Sequence, residues 1–213
     1  MNLPKVFLPP ALSLFMLVII IYWMGSCMAA VPEPYRVQGP WVVETTPERV
    51  IAVVEADIAP PMSISLFSWG ARFSLDDRDL GSLRYERINY ALRDSHNVLV
   101  WKMTAHDTYV AVADSRDDRL FSIVRYKERI EFIDAQGRLF SSIVISGDSA
   151  FLYSAEGTLL ATAITTPSGT ELRTAEGTII FISDRAVSPA GLAAAGLPSF
   201  NRLERAALMI MVK

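Results

Sequence analysis

Residues 144–153, VISGDSAFLY, run an apolar stretch into Gly147-Asp148-Ser149. A serine presented just past a tight turn could act as a nucleophile. Its hydroxyl must then lose a proton to a base within hydrogen-bond reach, most often a histidine held by a third group. The chain has two histidines, His96 and His106, and both lie upstream of Ser149. His96 stands in DSHN and His106 in AHDT, short polar runs of turn composition. These histidines, with Asp107, are also the first candidates for holding a metal, and Asp76, Asp77 and Asp79 are the next. Three or four converging ligands are needed for zinc, and nothing near either histidine supplies the rest. The three aspartates lack the spacing, the glycine and the closing glutamate of a calcium-binding loop. The mixed run SLDDRDLGSLRYER around them reads as a solvated charged loop. No phosphate-binding or dinucleotide glycine fingerprint is present. No cofactor and no metal are expected.

The GDS element resembles the signature of the SGNH or GDSL esterases, over three residues only. That resemblance would imply an Asp-x-x-His near the C-terminus, and this chain has none. Gly147-Asp148 therefore reads as a turn, the chain as no enzyme, and an esterase as its weakest functional reading.

The elements that place these residues follow a repeat. From residue 90 to 184 the chain divides every twenty residues into segments that align without insertion. The fifth residues are Asp94, Asp114, Asp134, Ser154 and Thr174, and three positions later stand Asn97, Asp117, Gly137, Gly157 and Gly177. Asp, Ser or Thr at the start of a turn accepts hydrogen bonds from backbone two residues on, and Gly, Asn or Asp at its end tolerates a left-handed backbone. Each segment is thus a β-hairpin, and AHDT, YKER, SGDS and TPSG are the turns at the opposite edge. Asp134, Gly137, Gly157 and Gly177 are the structural turn positions to test. Ahead of the repeat, WVVETTPERVIAVVEADI reads as two strands, ended by Pro60-Pro61. MSISLFSWGARFSLDD alternates, with Gly70 as a bend or bulge. About a dozen strands is more than a flat open sheet carries. The expected fold class is mainly β: an antiparallel hairpin meander of period 20, forming a barrel or coiled sheet, with short C-terminal helices and a single N-terminal transmembrane helix.

Half of the 213 residues are hydrophobic (51%), and the net charge is -3. Between Lys5 and Glu33 there is no charged side chain. A hydrocarbon core of about 30 Å needs roughly 20 apolar residues in a helix. Residues 1–30 are accordingly expected to be a transmembrane anchor, with Leu12, Phe15 and Ile19 in the hydrocarbon and Tyr22 and Trp23 at the far interface. Lys5 and the amino terminus place the N-terminus in the cytoplasm, and so the β-domain on the outer, periplasmic side of the cell membrane. Two alternatives stay open: a cleaved signal, and lipidation of Cys27, because MGSC resembles a bacterial lipobox. Residues 31–40 are a stiff Pro-rich linker, and 41–213 form the β-domain. A mildly acidic chain without a basic stripe is not expected to bind nucleic acid.

After Asp184 two short helices are expected, at 189–196 and 201–212. The first has Ser188 as N-cap, Pro189 in its first turn and Gly196 past its end. In the second, Asn201 and Glu204 stand in capping-box register, and its last turns are apolar on every side, as in a helix buried by protein or lipid. The turns DAQG, SAEG and TAEG and the terminal ERAALMIMVK resemble the tubby-like group, which includes LURP-one and scramblase relatives. That resemblance implies a barrel of hairpins around a hydrophobic C-terminal helix and a membrane-lipid or membrane-protein partner, and it carries over no functional residue. DAQGRL is also similar to the YD repeats of large secreted toxins, without their Tyr-Asp pair. The function expected is a non-catalytic, membrane-anchored accessory or assembly subunit of a larger integral-membrane complex, respiratory, photosynthetic or transport. The alternative is a lipid- or ligand-binding lipoprotein module.

Overall fold

A computed structural model of the chain describes residues 47–212 except 57, 87–88 and 184–186. The anchor residues Leu12, Phe15, Ile19, Tyr22 and Trp23, Cys27, the linker and the first of the two strands expected before Pro60 lie outside the described residues. Among those described, no helix is long and apolar enough to cross a membrane.

Fourteen antiparallel strands close into a barrel in which every strand pairs with its neighbours in the chain and the first meets the last. They are β1 (Arg49–Glu55), β2 (Ile58–Phe67), β3 (Gly70–Leu75), β4 (Arg78–Glu86), β5 (Asn89–Asp94), β6 (Leu99–Ala105) and β7 (Tyr109–Ala113). The series continues with β8 (Arg119–Arg125), β9 (Arg129–Asp134), β10 (Leu139–Ser146), β11 (Ser149–Ser154), β12 (Leu159–Thr166), β13 (Gly169–Thr174) and β14 (Ile179–Ser183). Helices α1 (Pro189–Ala195) and α2 (Arg202–Met211) follow.

The repeat starts one unit earlier than the sequence suggested. SLDDRDLGSLRYER is no loop: Asp76 and Asp77 form the tip of a hairpin, with φ 49° and 60°, and Arg78 opens β4. Asp76, Asp77, Arg78 and Asp79 are exposed at and beside the tip, while Gly81 and Leu83 are buried. Asp77 occupies the position of Asn97, Asp117, Gly137, Gly157 and Gly177, and all six have positive φ. The side chain three residues ahead holds the turn. Asp94, Asp114 and Asp134 each accept backbone N–H bonds from two and four residues on, at 2.8–3.0 Å, and Ser154 does the same at 3.2 and 3.3 Å. These bonds, Arg138 N–H foremost and then the Arg138 guanidinium and Gln136 N–H, hold the Asp134 carboxyl below its ordinary pKa. Glu156 and Glu176 are lowered chiefly by the hydroxyls of Ser154 and Thr174.

The register also shifts once per unit. Leu80, Val100, Leu120, Phe140, Leu160 and Ile180 are each passed over in the pairing with the preceding strand. A bulge bends its strand and increases the local twist. Six of them at a fixed interval give the sheet regular curvature, which closure into a barrel requires. Two further expectations are corrected. Pro60 and Pro61 do not end a unit but lie inside β2, at the irregularity between Val53 and Glu55 and ahead of the Met62–Leu75 pair that starts the ladder with β3, so no ladder N–H is needed there. Gly70 is not a bend within one strand but the first residue of β3, after a turn at Ser68-Trp69. A Cβ on Gly70 would lie 2.0 Å from the Leu83 carbonyl oxygen, and one on Gly81 2.1 Å from that of Arg93.

Side chains alone fill a barrel of about eight strands; fourteen leave a wider lumen. Here the two helices occupy it. Residues 190–195 of α1 are all buried, as are Leu203, Ala206, Ala207, Leu208, Met209 and Met211 of α2. α1 packs on β10–β13, where Ala150, Ala161, Ala163 and Thr170 are small inward residues among Ile143, Leu152 and Leu172. The far arc carries Phe73, Trp101, Met103 and Phe121. Both expected helix starts are present: Ser188 accepts from Gly191 N–H, and Asn201 and Glu204 form the capping box. Gly191 lets the helices touch, since a Cβ there would lie 2.3 Å from the Met209 carbonyl oxygen.

Candidate functional site

The two ends of the barrel differ. The hairpin tips of the repeat crown one end. The other, called the mouth, carries the turns 68–69, 106–108, 126–128, 147–148 and 167–168 and the start of β1. Alternation along each strand points every second residue inward, so the residue two places beyond the last core position reaches over the mouth. This places Arg49 beyond Ile51, Tyr85 beyond Leu83, Tyr90 before Leu92, Ala105 beyond Met103 and Arg125 beyond Ile123. With the end of α2 they frame a cleft of about 700 Å³. Its floor is apolar, from Ile51, Leu83, Val110, Met209 and Met211. Tyr85 and Tyr90 lie ring to ring, 5.0 Å apart, and His106 stacks on Tyr109 at 4.3 Å.

Arg125 closes one side. Its guanidinium donates to the carbonyl oxygen of Met211, where the unpaired carbonyls of α2 gather negative charge. Its Nε is buried without a hydrogen-bond partner. At the opposite end Glu55 accepts from Arg202 at 3.2 Å and lies 3.6 Å from Arg205. α2 therefore runs along the lumen for about 15 Å, pinned to the wall at both ends, with the cleft beside its C-terminal turn.

The chemical candidates do not converge. His96 is at a hairpin tip, its N–H bonded to Asp94, and His106 is at the mouth. The seven-residue strand β6 lies between them, a span of roughly 23 Å at about 3.3 Å per residue. Ser149 is the first residue of β11, just after the Gly147-Asp148 turn, where Gly147 has φ 58°. Although it shares the mouth with His106, four strands, β7–β10, separate β6 from β11. Ser149 thus has no histidine within proton-transfer distance. Among the described residues, no three His, Cys, Asp or Glu side chains gather as a metal would require.

The cleft residues escaped notice in the sequence, yet a signal was present. Leu83-x-Tyr85 and Ile123-x-Arg125 continue an inward alternation into polar and aromatic types. Such a break marks a strand running past its core into an opening.

No family model matches the chain, and no curated protein matches it. Among solved structures, an X-ray structure of a protein from Arabidopsis thaliana is similar to this chain over 67% of its length and 85% of the plant protein's, with 14% identity and a TM-score of 0.40.

Proposed function

We propose that this chain is a membrane-tethered, non-catalytic binding module whose ligand is a small amphipathic molecule held in the mouth cleft. One observation carries the reading: a cleft of about 700 Å³ with an apolar floor and a rim of tyrosines, histidine and arginine. Ligand sites fall mostly between about 300 and 1,000 Å³, lined by apolar and aromatic groups with a few polar atoms that fix orientation. The tether is the uncharged segment between Lys5 and Glu33. The test is native mass spectrometry of the purified full-length chain and of Ala105→Trp. Ala105 is an exposed rim residue, so the indole would occupy the cleft without disturbing the core. A bound small mass on the parent, lost in Ala105→Trp at unchanged melting temperature, supports the reading. Absence of any bound mass from the parent, or its retention in the variant, rejects it.

A second reading, an accessory subunit of an integral-membrane complex, has its own observation. On the outer wall Val54 (46% exposed) pairs with Ile182 (37%), and Ile164 (39%) lies two strands beyond Ile182, across Glu171. Exposed apolar groups gathered at one place suit a protein contact. Mild-detergent extraction and native electrophoresis of the parent and of Val54→Lys/Ile182→Lys test it. Co-migration with a large complex, lost in the variant, is expected; a parent that runs only as a monomer counts against it.

A further inference from the structure

We infer that the mouth end of the barrel docks on the interfacial layer of a lipid bilayer, so that the cleft opens toward the membrane; this rests on the tethered-module reading above. Three independent features select that end. The first is aromatic placement. Among the described Tyr, Phe and Trp residues, only Tyr85, Tyr109 and Tyr126 are exposed, at 53%, 36% and 55%. All three are at the mouth, on β4, on β7 and in the turn after β8. Phe67 at the end of β2 and Trp69 in the turn that follows, stacked at 4.8 Å, stand at the same end. Tyrosine and tryptophan rings, apolar in body with one polar atom, favour the headgroup layer.

The second feature is charge. The hairpin-tip turns are acidic on balance: Asp76, Asp77, Asp114, Asp117 and Asp118 outnumber Arg78, Arg116 and Arg119. An anionic surface would repel it. At the mouth, Arg125, Lys127 and Arg129 stand beside Asp107, Glu128 and Asp148. Attraction there comes from rings more than from net charge, so docking should tolerate both zwitterionic lipid and added salt. The third feature is connectivity. β1 begins at the mouth, where Glu48 N–H bonds Leu66 and Arg49 lines the cleft, and the uncharged stretch expected to enter the bilayer lies upstream of it. With the mouth docked, the chain would leave the barrel on the side that meets the bilayer and need not pass around the wall.

The test uses the full-length chain reconstituted in phosphatidylcholine vesicles that carry a nitroxide near the headgroup. Lys127→Cys at the mouth and Ser95→Cys at a hairpin tip, both exposed positions, are each labelled with a fluorophore. The parent, labelled at Cys27 alone, gives the background. Quenching at least about threefold greater at Lys127→Cys than at Ser95→Cys is expected, because rings at the interface hold only the mouth within reach of the nitroxide. It should drop when Tyr85, Tyr109 and Tyr126 are all changed to Ser. Chain that floats with the vesicles but shows equal or no quenching at the two sites overturns the docking and leaves the tether intact. Chain that fails to float overturns the tether and the docking together. Ligand binding, read separately by mass, is unaffected by either result.

Discussion

At Gly157 the backbone sits at φ +82°, and a Cβ there would meet no atom within 4 Å. Any cost of substitution is therefore backbone strain and not collision. Gly157→Val should destabilise by about 1–3 kcal/mol, whereas Ser149→Ala, just past the turn at the opposite end, should stay within about 0.5 kcal/mol. Thermal melts of the two variants measure both. A Gly157→Val melt equal to the parent's, with loss of the fold in Ser149→Ala, would overturn the turn register and reopen the reading of Gly147-Asp148-Ser149. The turn acid has its own signature. The folded-state pKa of Asp134 lies below the ordinary 3.8, so its contribution to stability is complete above the unfolded-state value and is lost as pH falls through the lower folded one. Asp134→Asn should remove this component of the acid dependence. An NMR titration that finds the Asp134 carboxyl at or above 3.8 would contradict it. These turns were legible from sequence because Asp-x-x-Gly chemistry is local. The earliest tip turn, Ser74 to Asp77, fits the same spacing but was masked by the run of charges around it, which looks like a solvated loop.

Among the elements, the contact between the two helices is sensitive to a single methyl group. Gly191→Ala would place its Cβ 2.3 Å from the Met209 carbonyl oxygen and 2.7 Å from that of Val212. Backbone on both sides leaves nothing flexible to yield. α2 would have to move toward the cleft, away from α1 and off Arg125. Loss of about 2–4 kcal/mol is expected, beyond the usual about 1–3 kcal/mol of an overpacked core. Urea titration provides the value, and a shift below about 0.5 kcal/mol would show that the helices are not in contact there. Both helices could be read from capping residues and an apolar circumference. For α2 a place inside the sheet was expected from the resemblance; for α1 it was not, because nothing local distinguishes a helix buried in a lumen from one covered by lipid. The six bulges were invisible for a related reason: a skipped residue such as Leu120 or Phe140 is recognised only by what its partner strand fails to pair with.

For the whole molecule, barrel and plug should be one cooperative unit. A chain ended after Val187 would leave Phe73, Phe132, Ile143 and Leu172, all fully buried in the intact protein, facing an empty lumen. Such a chain should keep its strands but lose fixed packing, seen as retained far-ultraviolet and lost near-ultraviolet circular dichroism. A native near-ultraviolet spectrum from it would show that the sheet closes unaided. Thirteen of the fourteen strand pairings join neighbours in the chain, and one does not. That one, β1 with β14, holds the ring shut through three register pairs, Val53–Ser183, Val54–Ile182 and Glu55–Phe181. Local hairpins can zip in sequence at little entropic cost, but this seam must wait for both ends of the domain. The helices that fill the lumen lie beyond β14 in the chain, so during synthesis they emerge after it. Lumen filling and ring closure are therefore coupled late events, and the seam is the natural place for the barrel to open again. Amide hydrogens of β1 and β14 should exchange ahead of those in β8–β11, and a ligand or bilayer that braces the mouth should slow them.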